Sequence, residues 1–164
     1  DDMKITILNW DELLKVSNIN GLLEDNLNVL LEKNFHVQNI SAVNIIFVSS
    51  EYIKRLNRQF RKKNDVTDVL SFDPYGEGLP AEVYICPEFI YKNTKKKNFE
   101  EEIMRDIIHG ILHVSGYDHK GRFNEENANL EEMFVMQENI LQNIQNEVNN
   151  RAGKSRRKIQ KHKA

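Results

Sequence analysis

The spacing of apolar positions changes along the chain, and each change marks an element. Met3–Leu8 alternates, the period of a strand with one covered face. Residues 10–34 shift to helical spacing, in two pieces broken near Gly21, with Leu22, Leu23, Leu27, Leu30 and Leu31 in one stripe. Val43–Val48 is a β-branched run that favours a strand. Ser50 is placed to cap a helix over 51–61 whose apolar stripe is Ile53, Leu56 and Phe60. Residues 62–68 are polar and predict a loop. Two short strands, Val69–Phe72 and Glu82–Cys86, flank a long turn marked by Pro74, Gly76, Gly78 and Pro80. Pro87 suits the first turn of a short helix to Tyr91, and a basic loop runs from Lys92 to Asn98. Residues 99–115 carry Ile103, Ile107, Ile108, Ile111 and Leu112 at helical spacing, and Gly116 is positioned to end that helix. A last helix runs from Phe123 to Asn149, with Leu130, Phe134, Ile140, Leu141 and Ile144 apolar.

Four strands with helices before, between and after them predict a sheet covered by helices, an α+β or mixed α/β domain. At 164 residues the chain is long enough for one domain with a real core. It holds 40% apolar and 29% charged residues, a globular balance. No apolar run reaches membrane-spanning length and no signal-peptide pattern opens the chain, so a cytoplasmic location is expected and a membrane role is not. The lone Cys86 excludes an internal disulfide framework.

Charge changes the picture at the end of the chain. Residues 151–164 hold seven Lys or Arg and no acid, which leaves the body with a balance of −9. The domain is therefore expected over 1–150, followed by a basic, disordered tail over 151–164. Such a tail on an acidic body suits a polyanion such as nucleic acid; it suits a merely solubilising segment equally well.

The candidate chemistry lies in residues 109–119. His109 and His113 are four apart on a predicted helix, which puts their Cβ atoms roughly 5–6 Å apart on one face. Gly116 lets the chain turn so that His119 can fold back. Three of the five histidines fall within these eleven residues. Three neutral imidazoles around one divalent ion leave a fourth position for water, the arrangement of a catalytic site. An ion there lowers the pKa of that water toward ~7. The zinc-protease helix has a glutamate base where this chain has Gly110, so a peptidase lacks its proton acceptor. Asp118 and Asp106 are nearby carboxylates suited to orienting a histidine, Asp118 the more so. His36 and His162 have no such pattern.

Lys54, Arg55, Arg58, Arg61, Lys62 and Lys63 crowd the helix over 51–61 and its exit. Most are expected to be a solvated face. Arg61, where the helix meets the loop, is the one placed to offer a phosphate its planar fork of donors. Cys86 reads as a small core residue. Trp10, Tyr75 and Tyr117 are aromatic enough to stack on bases, though core or surface roles fit them better.

The segment from His109 to His119, with Gly116-Tyr117-Asp118 before the last histidine, resembles the signature of the YbeY endoribonucleases. A second block resembles the family's other signature: Leu56-Asn57-Arg58-Gln59-Phe60-Arg61, then Thr67-Asp68-Val69-Leu70-Ser71-Phe72. The resemblance spans about residues 3–148. It implies a small α+β domain with a four-stranded mixed sheet, and a metal-dependent, single-strand-directed endoribonuclease. Its RNA would be ribosomal, notably the 3′ end of the small-subunit RNA, with a further part in ribosome quality control. The ribosome or its small subunit would be the partner. It also implies His109, His113 and His119 as ligands of one divalent ion, usually zinc, and Arg61 as the functional arginine; three imidazoles by themselves suit nickel as well. Asn64, Val66 and Ala81-Glu82-Val83 depart from the usual family residues near the cleft. Two other classes fit the residues alone: a metallo-hydrolase of peptide or amide bonds, and a non-catalytic ribosome-associated metal-binding module.

Overall fold

A computed structural model of the chain describes residues 2–17, 26–36, 40–117 and 123–163, with the side chains of 117 and 123–130 excepted. The strands are β1 (Lys4–Leu8), β2 (Ala42–Phe47), β3 (Val69–Phe72) and β4 (Ala81–Ile85). The helices are α1 (Trp10–Leu14), α2 (Leu27–Asn34), α3 (Ser50–Arg61), α4 (Pro87–Asn93), α5 (Phe99–Leu112) and α6 (Phe123–Lys163). Gly21, Leu22 and Leu23, the expected break and start of the second helical piece, lie outside the described residues.

The sheet has the order β1-β2-β4-β3. β1 and β4 run parallel to β2, and β3 runs antiparallel to β4 at the free edge. This is the α+β domain with a four-stranded mixed sheet that the resemblance implies, and one of the two classes that the residue pattern allows. Strand alternation assigns the faces. Register aligns Ile5, Val43 and Ala81, then Ile7, Ile45 and Val83, on one face. Except for half-buried Ile7 these side chains are buried, and they form the main core with α2, α5 and α6. Eight residues of α5 are buried, five of them Ile or Leu. At about 1.5–3 kcal/mol for each large apolar side chain, α5 is firmly seated.

The opposite face carries Ile46, Leu70, Phe72 and Tyr84, over which α3 lays Ile53 and Leu56 in a smaller cluster. Ser49, not Ser50, caps α3: its hydroxyl accepts from the Tyr52 amide at 3.2 Å. The Ser50 hydroxyl instead donates to Glu88 at 3.1 Å. Two expected core aromatics point outward, Phe60 at 57% exposure and Phe134 at 59%. On α6 the inward stripe is Met133, Gln137, Ile140, Leu141 and Ile144, to which Phe134 is adjacent but outside.

Cys86 is fully buried just after β4, and burial pushes its thiol pKa up, as suits a core residue. Residues 151–163, expected as a disordered tail, continue α6 with every residue exposed. Their Arg, Lys, Gln and Ala are good helix formers, which carries the turn onward past Val148, where packing on the core ends. No helix among the described residues is long and apolar enough to cross a membrane.

Candidate active site

α5 crosses β4 and β3 so closely that only glycine fits at position 110. A Cβ there would lie 2.4 Å from Val83 Cγ1 and 3.2 Å from Ser71 Oγ. The Ser71 hydroxyl donates to the Gly110 carbonyl across the same contact, at 3.4 Å. This seating fixes His109 against the sheet's free edge. It also explains why the protease glutamate is missing, since its side chain would have to enter β4. One turn on, α5 ends at Leu112 and the backbone widens into a π turn over His113–Tyr117. Gly116 stops it with φ 96°, a left-handed conformation that favours glycine.

The two imidazoles converge as their spacing predicts. His109 Nε2 and His113 Nε2 are 2.9 Å apart. His109 Nδ1 meets the side-chain carbonyl of buried Gln137, on α6, at 2.8 Å. A carbonyl oxygen only accepts, so Nδ1 carries the proton and the lone pair of His109 sits on Nε2. Two imidazole nitrogens bound ~2.0–2.1 Å from one ion lie roughly 3 Å apart, so the pair fits two ligands of a shared divalent ion. Among the described residues no third His, Cys, Asp or Glu completes the set. His119 and Asp118 lie outside those residues.

The histidines open into a cleft of about 440 Å³ along the free edge of β3, shared with Arg61, Asp68, Ser71 and Phe72. Arg61 reaches it because α3 closes there. Lys62 takes a left-handed φ of 55°, and its amide returns to the Asn57 carbonyl. The buried Asn57 amide then donates to the Asp65 carbonyl at 3.0 Å, tying the loop over 62–66 to the helix. The Cys86 amide donates to the Asp68 carbonyl at 2.8 Å and sets the start of β3. Sequence reasoning singled out Arg61 but passed over Asn57 as a mere part of the matching block.

Asp106, considered as a histidine's partner, pairs with Asp68 instead. Burial first, then the hydrogen bond and like charge of Asp68, push its carboxyl up to about 9. The Asp106 carboxyl therefore keeps its proton at neutral pH. Asp68 and Gln137 escaped the sequence reading. The signal for Gln137 was available: a lone amide at helical spacing between Met133 and Ile140 on an apolar stripe. Asp68, like Asn57, stood in the matching block with no role assigned to it. Of the aromatics considered for stacking, Trp10 packs on Phe47 at 5.5 Å and Tyr75 is 98% exposed.

The chain matches known proteins over most of its length. The profile of the Endoribonuclease YbeY family covers residues 4–145. An Endoribonuclease YbeY of Thermotoga neapolitana is 41% identical over 127 residues, 76% of this chain and 80% of that one. Another, of Phytoplasma australiense, is 38% identical over 125 residues, 71% of this chain and 83% of that one. The solution structure of TM1509 from Thermotoga maritima superposes with a TM-score of 0.57 at 33% identity, over 90% of this chain and 93% of that one. The protein is therefore an enzyme, a hydrolase acting on RNA. It belongs to the YbeY endoribonuclease family.

Proposed function

We propose that this enzyme is a metal-dependent endoribonuclease that cuts single-stranded RNA in the cytoplasm. Its task is ribosomal RNA maturation, notably at the 3′ end of the small-subunit RNA, and quality control on the ribosome. The observation that carries the reading is the 2.9 Å convergence of His109 and His113 in the cleft that Arg61 also lines. His109, His113 and His119 would hold the ion. Zinc suits three imidazoles, and nickel does too. When bound, such an ion supplies Lewis acidity and lowers the pKa of water at neutral pH.

The chain's own residues do the rest. Gln137 keeps the proton on His109 Nδ1, so that Nε2 faces His113. Arg61 binds the scissile phosphate and offsets charge developing on its oxygens. The proton kept on Asp106 removes a negative charge beside the cleft that would repel that phosphate. Elemental analysis and cleavage of an unstructured RNA test the assignment together. His113→Ala should lose metal and cleavage at once, whereas Arg61→Glu should keep metal and lose cleavage. A metal-loaded protein that never cuts single-stranded RNA ends the reading.

A further inference from the structure

The cleft, at about 440 Å³, lies in the lower half of the range of ~300–1,000 Å³ that holds one small ligand, and has room for about one nucleotide. An endonuclease substrate continues past it on both sides, and one rim carries an uncommon surface. Phe72 lines the cleft, and Phe60 of α3 stands edge-on to it with ring centroids 5.1 Å apart. Phe72 also meets Tyr84 at 5.7 Å, and Tyr84 meets Tyr52 at 6.1 Å. Four rings thus run from the cleft along the edge of α3. The two on the helix are open, Phe60 at 57% and Tyr52 at 39%. The Arg55 guanidinium lies 5.6 Å over the Tyr52 ring.

Charge decides what covers these rings. Residues 50–63 hold six Lys or Arg against one acid, Glu51. Among the described residues Lys54, Arg55, Arg58, Lys62 and Lys63 are exposed and make no ion pair with any carboxylate. A helix that only needed solubility would not leave a phenylalanine open among unpaired cations. Exposed rings interleaved with cations are what single-stranded nucleic acid uses, bases on the rings and phosphates on the cations.

We propose that the edge of α3 is a stacking platform for the RNA that flanks the cut. Unpaired bases next to the scissile nucleotide lie on Phe60 and then Tyr52, and Arg55, Arg58 and Lys62 take the intervening phosphates. Phe72 and Tyr84 back the open rings and fix their tilt. The platform rests on the endoribonuclease reading and adds a path for the strand. It also favours unpaired RNA, because bases held in a duplex have no free face to offer.

The test separates binding from cutting. Chelated protein is titrated into a fluorescein-labelled, unstructured twelve-nucleotide RNA, and anisotropy is followed across salt concentrations. Phe60→Ala should weaken binding about tenfold while the slope of log Kd against log salt stays as in the parent. Phe60→Leu, which keeps bulk but removes the ring, should lose as much; Phe60→Trp should restore affinity. Arg58→Gln should lower the salt slope by about one unit. In cleavage assays Phe60→Ala should raise KM more than it lowers kcat. Binding by Phe60→Ala and Phe60→Leu within twofold of the parent, in a protein that still cuts RNA, would overturn the platform and leave the nuclease standing. A parent that neither binds nor cuts single-stranded RNA would overturn both.

Discussion

Replacing Gly110 with alanine sets two effects of opposite sign against each other. Alanine in a helix interior is favoured over glycine by about 1 kcal/mol from backbone freedom alone. The structure sets against this a Cβ 2.4 Å from Val83 Cγ1 and 3.2 Å from both Val83 Cγ2 and Ser71 Oγ. Val83 is fully buried and has only χ1 to yield, so α5 must lift or β4 must bend. Overpacking of this kind costs about 1–3 kcal/mol. A 2.4 Å approach belongs in the upper half of that range, so steric cost wins, with a net loss of about 1–2 kcal/mol, worth roughly 2–8 °C in a domain of this size. Urea and thermal unfolding measure it. Val83→Ala should cost about 2 kcal/mol alone as a core truncation, yet cost less in the Gly110→Ala background, leaving a coupling of about 1 kcal/mol. Cleavage should fall further than stability, since lifting α5 moves His109 relative to Arg61, and a misplacement near 1 Å can cost ~100-fold. If Gly110→Ala is the more stable protein, helix propensity has won and the close seating of α5 on β4 is wrong.

Three other outcomes follow from the same geometry. Gln137→Met keeps the volume but removes the acceptor at His109 Nδ1, and competition with a chromophoric chelator should show metal affinity down about 10–100-fold. Asp106 has a folded pKa of about 9 against an ordinary 3.8, so the folded state holds a proton that the unfolded chain has released. Stability should therefore be greatest below about pH 4 on this account and fall toward pH 9, by at most ~1.4 kcal/mol per pH unit. Asp106→Asn should flatten that fall in urea titrations, and an unchanged pH profile speaks against the half-buried Asp68–Asp106 pair. Deleting residues 151–164 should leave folding intact, because residues 151–163 are exposed, but weaken RNA binding and reduce its salt slope. Equal slopes with and without the segment would remove the basic end of α6 from RNA binding.

Period carried most of the fold, because strands and helices bury faces at different spacings. It placed β1, β2, α3, α5 and α6 and put two histidines on one helical face. It failed where an element outruns what it packs on. Phe60 lies two turns beyond Ile53 on the same side of α3, but there the helix has reached the rim of the sheet, and Phe72 leaves its ring half uncovered. Spacing along one helix also says nothing about what another helix brings. Gln137 stands 28 residues after His109, and Asp68 stands 38 residues before Asp106. Each pairing exists only because α6 and β3 both lie against α5. Glycine at 110 shows the reverse case. Its presence was plain in the sequence and its reason was not, until Val83 was seen facing it.

The outermost strand gives the molecule a second advantage. An unpaired strand edge invites its like from another copy, the first step toward aggregation. Here β3 has only four residues, and Asp73 and Pro74 follow at once, a charge and a residue with no amide to offer a visitor. Arg61 and Asp68 flank the same border. The polar groups along this border thus double as a guard against self-association, and a variant stripped of them would forfeit its resistance to clumping together.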